Sequence, residues 1–206
     1  MRLLWGLALL SLPASALAAP PDRRVLQPRT VDLSTKAEEA RLEAIQRLPP
    51  LIRSVDDGRR AEVLFRYAEL LFDQGRASWI REWDRYGEQI DACDANPACN
   101  ADAVQVDNRG SERWYRQAIS VYQKLLRDYP RYERVDEATY HLGLTLADLG
   151  EADEAVSIQK RLVKLHPRSP HTPAAYVAIG EHYFDADEPF PALLAYTKAS
   201  KTDHPL

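Results

Sequence analysis

Segments of this sequence can be aligned with one another at a fixed offset of 37 residues, and this repeat constrains the fold more than any other feature. Small, aromatic and proline positions all recur at that offset. They are Ala118, Ala155 and Ala192; Tyr122, Gln159 and Tyr196; Leu142 and Ile179; Gly143 and Gly180; and Pro130 and Pro167. A repeat of this length is typical of a supersecondary unit that stacks on copies of itself.

Each unit is predicted to be a pair of antiparallel helices. Glycine is scarce, at eight residues, and valine and isoleucine never alternate with polar residues over the length of a strand, so the fold class is all-α. Gly143 and Gly180 would lie where two helices cross closely. Gly75 and Gly150 are predicted to end first helices in the left-handed conformation, and the recurring prolines to end second helices.

These positions resemble the tetratricopeptide repeat family, whose pattern combines an aromatic residue, Leu-Gly, Tyr, Ala, a second aromatic and Pro. The copies are Thr139, Leu142, Gly143, Leu146, Ala155, Gln159 and Pro167, followed by Tyr176, Ile179, Gly180, Tyr183, Ala192 and Tyr196. The resemblance implies a helix-turn-helix solenoid of about three repeats over residues 59–206. Repeat one covers 59–75 and 112–132 around an insertion at 76–111, repeat two covers 136–169, and repeat three covers 173–206.

The N-terminus is predicted to direct export. Arg2 precedes an apolar run from Leu3 to Leu12, and a small-x-small pattern follows, so residues 1–18 are predicted to be a signal peptide cut between Ala18 and Ala19. A retained membrane anchor is the alternative. Residues 19–34 are predicted to be a flexible leader, and 35–58 a helix and linker, the helix ending at the proline pair 49–50.

Export bears on the interpretation of the two cysteines. Cys93 and Cys99 flank an Asn-Pro turn, and in an oxidising compartment such a pair is more typical of a local disulfide than of half a metal site. The net charge of −4 gives no indication of a nucleic-acid partner. We find no catalytic constellation in the sequence and therefore predict a non-enzyme without cofactor, metal or small-molecule substrate.

The insertion carries an amphipathic stripe whose aromatic members Trp79, Trp83 and Tyr86 recur at three- and four-residue steps. One interpretation is structural: a helix from Ser78 to about Ile90 extends the first helix pair and packs on its neighbour. The other is functional: the segment 91–110 projects as a contact loop, since long insertions in compact arrays are often functional.

In the family, the first helix of each repeat lines a concave groove. The resemblance places there the candidate partner-binding residues Phe65, Glu69, Phe72, Asp73, Tyr140, Asp148, Val177, Glu181 and Asp185. The groove would be aromatic in part and acidic along one row, whereas relatives that clamp a carboxylate use Lys and Arg. The predicted partner is therefore a protein or an extended, basic peptide.

A lengthened Pro-Ser-Pro turn after Pro167 resembles that of bacterial envelope proteins of the outer-membrane-assembly, Tol-Pal-associated and gliding-motility groups. The predicted function is a periplasmic or secreted scaffold in a Gram-negative cell-envelope complex, which contacts membranes only through partners. One alternative is a repeat module attached to or regulating a cell-wall-active enzyme, with the chain continuing past residue 206. Another is self-association through the last repeat.

Overall fold

The computed structural model describes the backbone of residues 27–201 and the side chains of residues 35–201. The predicted signal peptide, with Ala18 and Ala19, lies outside the described residues, as do residues 202–206. The chain divides into two compact units after Lys36, and the second unit, residues 37–206, contains the helix array. Within the described residues, no helix combines the length and the apolar character needed to cross a membrane.

Helix α1, Gln27–Ser54, is longer than the predicted helix at both ends. It begins inside the segment predicted to be a flexible leader, and it passes through Pro49 and Pro50 instead of ending there. Its last turn is held by Arg60, whose guanidinium donates to the carbonyl oxygens of Ile52 (3.0 Å) and Val55 (2.7 Å). These bonds satisfy carbonyls that a helix end leaves without partners, and they allow one further turn after the prolines.

Helix α2, Asp57–Asp94, begins at the N-cap Asp56, whose side chain accepts from the Arg59 N–H. The sequence predicted that a helix would end at Gly75 and that a second would begin at Ser78, and this is wrong. Gly75 is buried inside one continuous helix, where the ring of Tyr115 occupies the space that a side chain would need. The glycine therefore permits a close approach of helices and does not terminate one.

The remaining helices are α3 Arg109–Asp128, α4 Val135–Asp148, α5 Ala152–Leu165, α6 Thr172–Asp185 and α7 Pro189–Lys201. Consecutive helices pack as the pairs α2–α3, α4–α5 and α6–α7, and α3–α4 and α5–α6 join one pair to the next. This arrangement confirms the predicted helical solenoid. Its first pair is the longest, because the inserted residues extend α2, pass through a short 3₁₀ turn at Ala101–Ala103 and lead into α3.

The turn inside each of the later pairs repeats at the 37-residue offset. Gly150 has φ +89°, as predicted, and Asp187, 37 residues on, has φ 58°. In both turns the following N–H donates back across the helix end, from Glu151 to the Leu146 carbonyl (2.9 Å) and from Glu188 to the Tyr183 carbonyl (2.8 Å). Both are therefore left-handed caps with the same bonding, one made with glycine and one with aspartate.

The helix crossings follow the predicted pattern of small residues. A Cβ on Gly143 would lie 2.7 Å from Cδ of Gln159, and one on Gly180 would lie 2.6 Å from Cε1 of Tyr196. On the second helices, Ala155 and Ala192 are buried. The core runs from Ile45 on α1 through the first two pairs to Ala155, and a smaller cluster around Val156 and Ile179 joins the last two.

Candidate partner-binding surface

The start of α3 is fixed onto α2 by a buried carboxylate. Glu82 is almost fully buried; its Oε1 accepts from the backbone N–H of Ser111 (3.0 Å), and its Oε2 lies 2.5 Å from the Ser111 hydroxyl. A Cβ at Gly110 would collide with the same carboxylate, so glycine allows this approach. A carboxylate at a helix N-terminus satisfies free N–H groups and interacts favourably with the helix dipole.

The predicted aromatic stripe lies on this extended hairpin. We keep the name aromatic stripe for Trp79, Trp83 and Tyr86. The ring centroids of Trp79 and Trp83 are 5.7 Å apart, and those of Trp83 and Tyr86 are 5.5 Å apart in an edge-to-face arrangement. Trp79 remains 45% exposed, Trp83 44% and the adjoining Ile80 54%. Adjoining large apolar side chains exposed to this degree are typical of an interaction surface.

Two of the predicted groove aromatics lie elsewhere. Phe65 is 0% exposed and packs against Tyr122, Tyr132 and His141, while Phe72 is buried against Tyr115 and His141. The prediction that they line the groove is therefore wrong, because helix α3 and the turn before α4 cover that face of α2.

The other two predicted aromatic and apolar positions are accessible, at least in part. Tyr140 is partly buried and stacks on His171, with ring centroids 4.9 Å apart, and Val177 is exposed.

One end of the predicted acidic row is neutralised within the protein. Arg134 donates to both carboxylate oxygens of Glu137 (2.7 and 2.9 Å), and it lies 3.3 Å from Glu62 and 3.9 Å from Glu69. Its guanidinium also covers the Phe65 ring at 4.0 Å. The hydrogen bond from Arg134 lowers the pKa of Glu137, whereas burial raises the pKa of Glu69. Arg66 pairs with Glu62 and Glu69 as well, so these three carboxylates are already in contact with two arginines and are less available to a basic partner.

A possible metal-ligand set lies at the same place. Ligand atoms of Glu69, Glu137 and His141 are within 4.8 Å of one another, and burial lowers the pKa of His141, which favours the neutral imidazole that metals bind. However, both Glu137 oxygens already accept hydrogen bonds from Arg134, so an ion would have to displace a guanidinium. We assign no metal to this cluster.

The other end of the acidic row forms an open cleft. Asp148, Glu181 and Asp185 line a space of about 400 Å³ between α4, α5 and α6, together with the small residues Gly143 and Ala147; we call this space the acidic cleft. Asp73, which the sequence placed in the same row, is exposed on α2 and is not part of this lining. The structure thus joins three of the predicted acidic residues in one place and separates them from the rest.

Asp148 also faces a second cleft. Its side chain is 39% exposed, and the Arg76 Nε lies 4.0 Å away. Burial of the remaining surface raises the pKa of Asp148. The second cleft, of about 380 Å³, is lined by Arg76, Trp79, Ile80, Tyr115, Ala147 and Asp148. Because Ala147 and Asp148 belong to both linings, the acidic cleft adjoins the second cleft, which Trp79 of the aromatic stripe also lines.

Cys93 and Cys99 lie close together at the far end of the hairpin. Their Cα atoms are 5.2 Å apart, a separation that suits a disulfide. Asn96 organises the turn between them, since its N–H donates to the Cys93 carbonyl, its carbonyl accepts from the Cys99 N–H, and its side chain accepts from the Ala98 N–H. The chain therefore brings the thiols together, and the bond between them stays a prediction.

The helix pair α4–α5, which carries most of the acidic cleft, matches the family model described as tetratricopeptide repeat over residues 137–169. Residues 137–169 are a tetratricopeptide repeat. None of the curated proteins compared with the chain matches it. A solved structure titled "MamA MSR-1 C2" is 20% identical over 85% of this chain and 94% of its own, with a TM-score of 0.38. The identification of a tetratricopeptide fold depends on the family match and on the repeated helix pairs. The similarity to this solved structure does not contribute to it.

Two residues of the surface were not predicted from the sequence. Arg134 lies just before the tetratricopeptide repeat, and its spacing of three residues from Glu137 could have indicated the ion pair. Gln159 occupies the position where the repeat pattern has an aromatic residue, and the sequence alone did not show that it would line the acidic cleft.

Proposed function

We propose that this protein is an exported scaffold that holds a protein partner in a bacterial cell-envelope complex. Its fold is that of tetratricopeptide repeat proteins, which bind other proteins. The observation that carries the proposal is the aromatic stripe, whose two tryptophans are nearly half exposed and whose first member lines a cleft beside the acidic cleft. Aromatic side chains are the residues that most often dominate binding energy at protein interfaces.

The partner we propose is an extended, basic protein segment. The acidic cleft groups three carboxylates of the surface in one open space. By contrast, Glu62, Glu69 and Glu137 are paired with arginine, and Asp73 lies apart from the cleft. Complementary charge would steer such a segment and fix its register, while contact with the stripe would supply most of the affinity. No step of this role requires catalysis.

Removing the stripe is expected to abolish partner capture without unfolding the protein. Trp79→Ala, Trp83→Ala and Tyr86→Ala, made together, should lower the amount of envelope protein captured at least tenfold, because hot-spot aromatics each contribute about 2 kcal/mol or more. Capture is measured by quantitative mass spectrometry and folding by thermal melting. A control variant, Phe184→Ala with Phe190→Ala and Leu193→Ala, removes three apolar side chains of the last helix pair that are more exposed than those of the stripe. Equal capture by both variants would contradict the proposal.

Export has its own test. Expressed with its first 18 residues, the protein is expected in the periplasm, beginning at Ala19, and with a mass lower by two hydrogen atoms than that of the dithiol form. N-terminal sequencing and intact mass under non-reducing conditions check both points. A matched form lacking residues 1–18 should stay in the cytoplasm, where thiols are kept reduced. Retention of the full-length chain in the cytoplasm would rule out the proposed compartment.

A further inference from the structure

The acidic cleft is rich in hydrogen-bond acceptors, and of the lining side chains that the structure describes, His182 is the one that can carry a positive charge. Asp148, Glu181 and Asp185 contribute carboxylates, and within the described chain no lysine or arginine belongs to the lining. The one nearby guanidinium, that of Arg76, is 4.0 Å from Asp148 on the side of the second cleft. An arrangement of this kind favours a ligand that brings hydrogen-bond donors and positive charge.

A buried amide adds an acceptor that the protein does not use. Gln159 is 2% exposed and lines the acidic cleft, with its Nε2 donating to the Tyr140 carbonyl at 3.2 Å. That bond fixes the amide, and the Oε1 atom has no hydrogen-bond partner among the described residues. A buried acceptor without a partner carries a free-energy cost. A donor in the cleft would relieve that cost if a small shift of the amide exposed the atom.

The walls of the cleft suit an aliphatic stem. Beside the polar side chains they are formed by glycine, alanine and the aliphatic side chains of Leu144 and Val156, so much of the wall is apolar. Lysine and arginine bury their methylene groups along such surfaces while keeping the charged head on polar groups.

The second cleft has the opposite chemistry at its far side. Trp79 and Ile80 offer exposed apolar surface there, and Ala147 and Asp148 connect this surface to the acidic cleft. One ligand lying across Asp148 would therefore touch a charged site and an apolar site at once.

We propose that the two clefts form one bipartite site for an extended partner segment in which a lysine or arginine lies within a few residues of a large apolar side chain. The basic side chain enters the acidic cleft, and the apolar side chain packs on Trp79 and Ile80. This proposal depends on the proposed scaffold function and specifies the sequence that the scaffold recognises.

The test is an array of synthetic heptapeptides in a Gly-Ser background, each carrying one lysine and one phenylalanine at varied spacing. Matched peptides replace the lysine by glutamate or the phenylalanine by alanine. Binding of the fluorescently labelled mature protein is compared with that of Asp148→Asn/Asp185→Asn and of Trp79→Ala/Ile80→Ala. The unmodified protein is expected to bind Lys-Phe peptides roughly tenfold more tightly than Glu-Phe peptides, because hydrogen bonds to charged groups are stronger than those between neutral groups. A tenfold difference in Kd corresponds to about 1.4 kcal/mol.

The two variants should separate the two halves of the site. The asparagine variant is expected to lose the preference for lysine over glutamate and to keep the preference for phenylalanine over alanine, and the alanine variant should do the reverse. A lysine preference that survives in the asparagine variant would overturn the proposal, as would the absence of binding to every peptide at about 1 mM, a concentration that detects even weak complexes. The scaffold function would still stand in either case if the aromatic stripe is needed for partner capture.

Discussion

Replacing Gly75 with alanine is expected to lower the free energy of unfolding by about 1–3 kcal/mol, although alanine normally stabilises a helix relative to glycine. The added Cβ would lie 2.5 Å from Cε1 of the Tyr115 ring, which is buried and held between α2 and α3. The helices would have to separate, or the ring would have to leave its position. Chemical denaturation monitored by circular dichroism measures the change.

Gly87 provides the matched control on the same helix. It is exposed, and a Cβ there would meet no atom within 4 Å, so Gly87→Ala should raise the free energy of unfolding by about 0.5–1 kcal/mol. Both substitutions replace glycine with alanine, and they are expected to change the free energy of unfolding in opposite directions. If both stabilised the protein, the close contact between Gly75 and Tyr115 would be wrong.

The second large effect is expected at Glu82. Glu82→Ala should reduce the free energy of unfolding by about 2–4 kcal/mol, because it removes the acceptor of the Ser111 N–H and the negative charge at the start of α3. Ser111 is 1% exposed, so water cannot readily replace the lost acceptor. The same denaturation experiment measures this loss, and hydrogen exchange of the first turn of α3 should increase with it.

Two companion variants show which property of Glu82 matters. Glu82→Gln keeps an acceptor oxygen and removes the charge, so its cost should be intermediate. Glu88→Ala removes a carboxylate from an exposed position of the same helix and should change stability by no more than about 0.5 kcal/mol. A Glu82→Ala protein as stable as Glu88→Ala would show that the buried carboxylate does not hold the hairpin together.

The sequence predicted the later helix pairs well because each repeat carries the small residues that allow close helix packing and the residue that ends the first helix. Gly143 and Gly180 face side chains of the paired helix, and Gly150 takes the left-handed conformation expected of a cap. Each of these roles depends on residues close in sequence, so a fixed offset between two copies is enough to reveal them.

The first helix pair was harder to predict because the sequence alone does not show whether a glycine ends a helix or allows two helices to approach closely. Gly75 matches Gly150 in register, but the cap was replaced by a helix contact once Tyr115, forty residues away, packed against it. In the same way, Phe65 and Phe72 were predicted to line the groove, but residues of α3, α4 and the turn between them pack against both rings and bury them in the core. Such outcomes depend on contacts between distant segments, which the repeat pattern does not contain.

The candidate surface was predicted in part for the same reason. The spacing of aromatic residues along α2 identified the aromatic stripe, because residues three and four apart lie on the same face of one helix. The sequence did not show which carboxylates of the acidic row are paired with arginine. Arg134, in the turn before α4, contacts Glu62 and Glu69 on α2. Only the folded chain shows which carboxylates are already compensated.

The unequal lengths of the helices have a mechanical consequence. At about 1.5 Å per residue, the 38 residues of α2 span about 57 Å, while the 14 residues of α4 span about 21 Å. The buried residues of α2 lie mostly between Ala61 and Glu82, so the helix beyond Glu82 is an arm anchored in the stacked pairs, with the cysteine turn at its tip. A load applied at the tip would act on the array with the leverage of that arm, and the Glu82–Ser111 bonds would bear it.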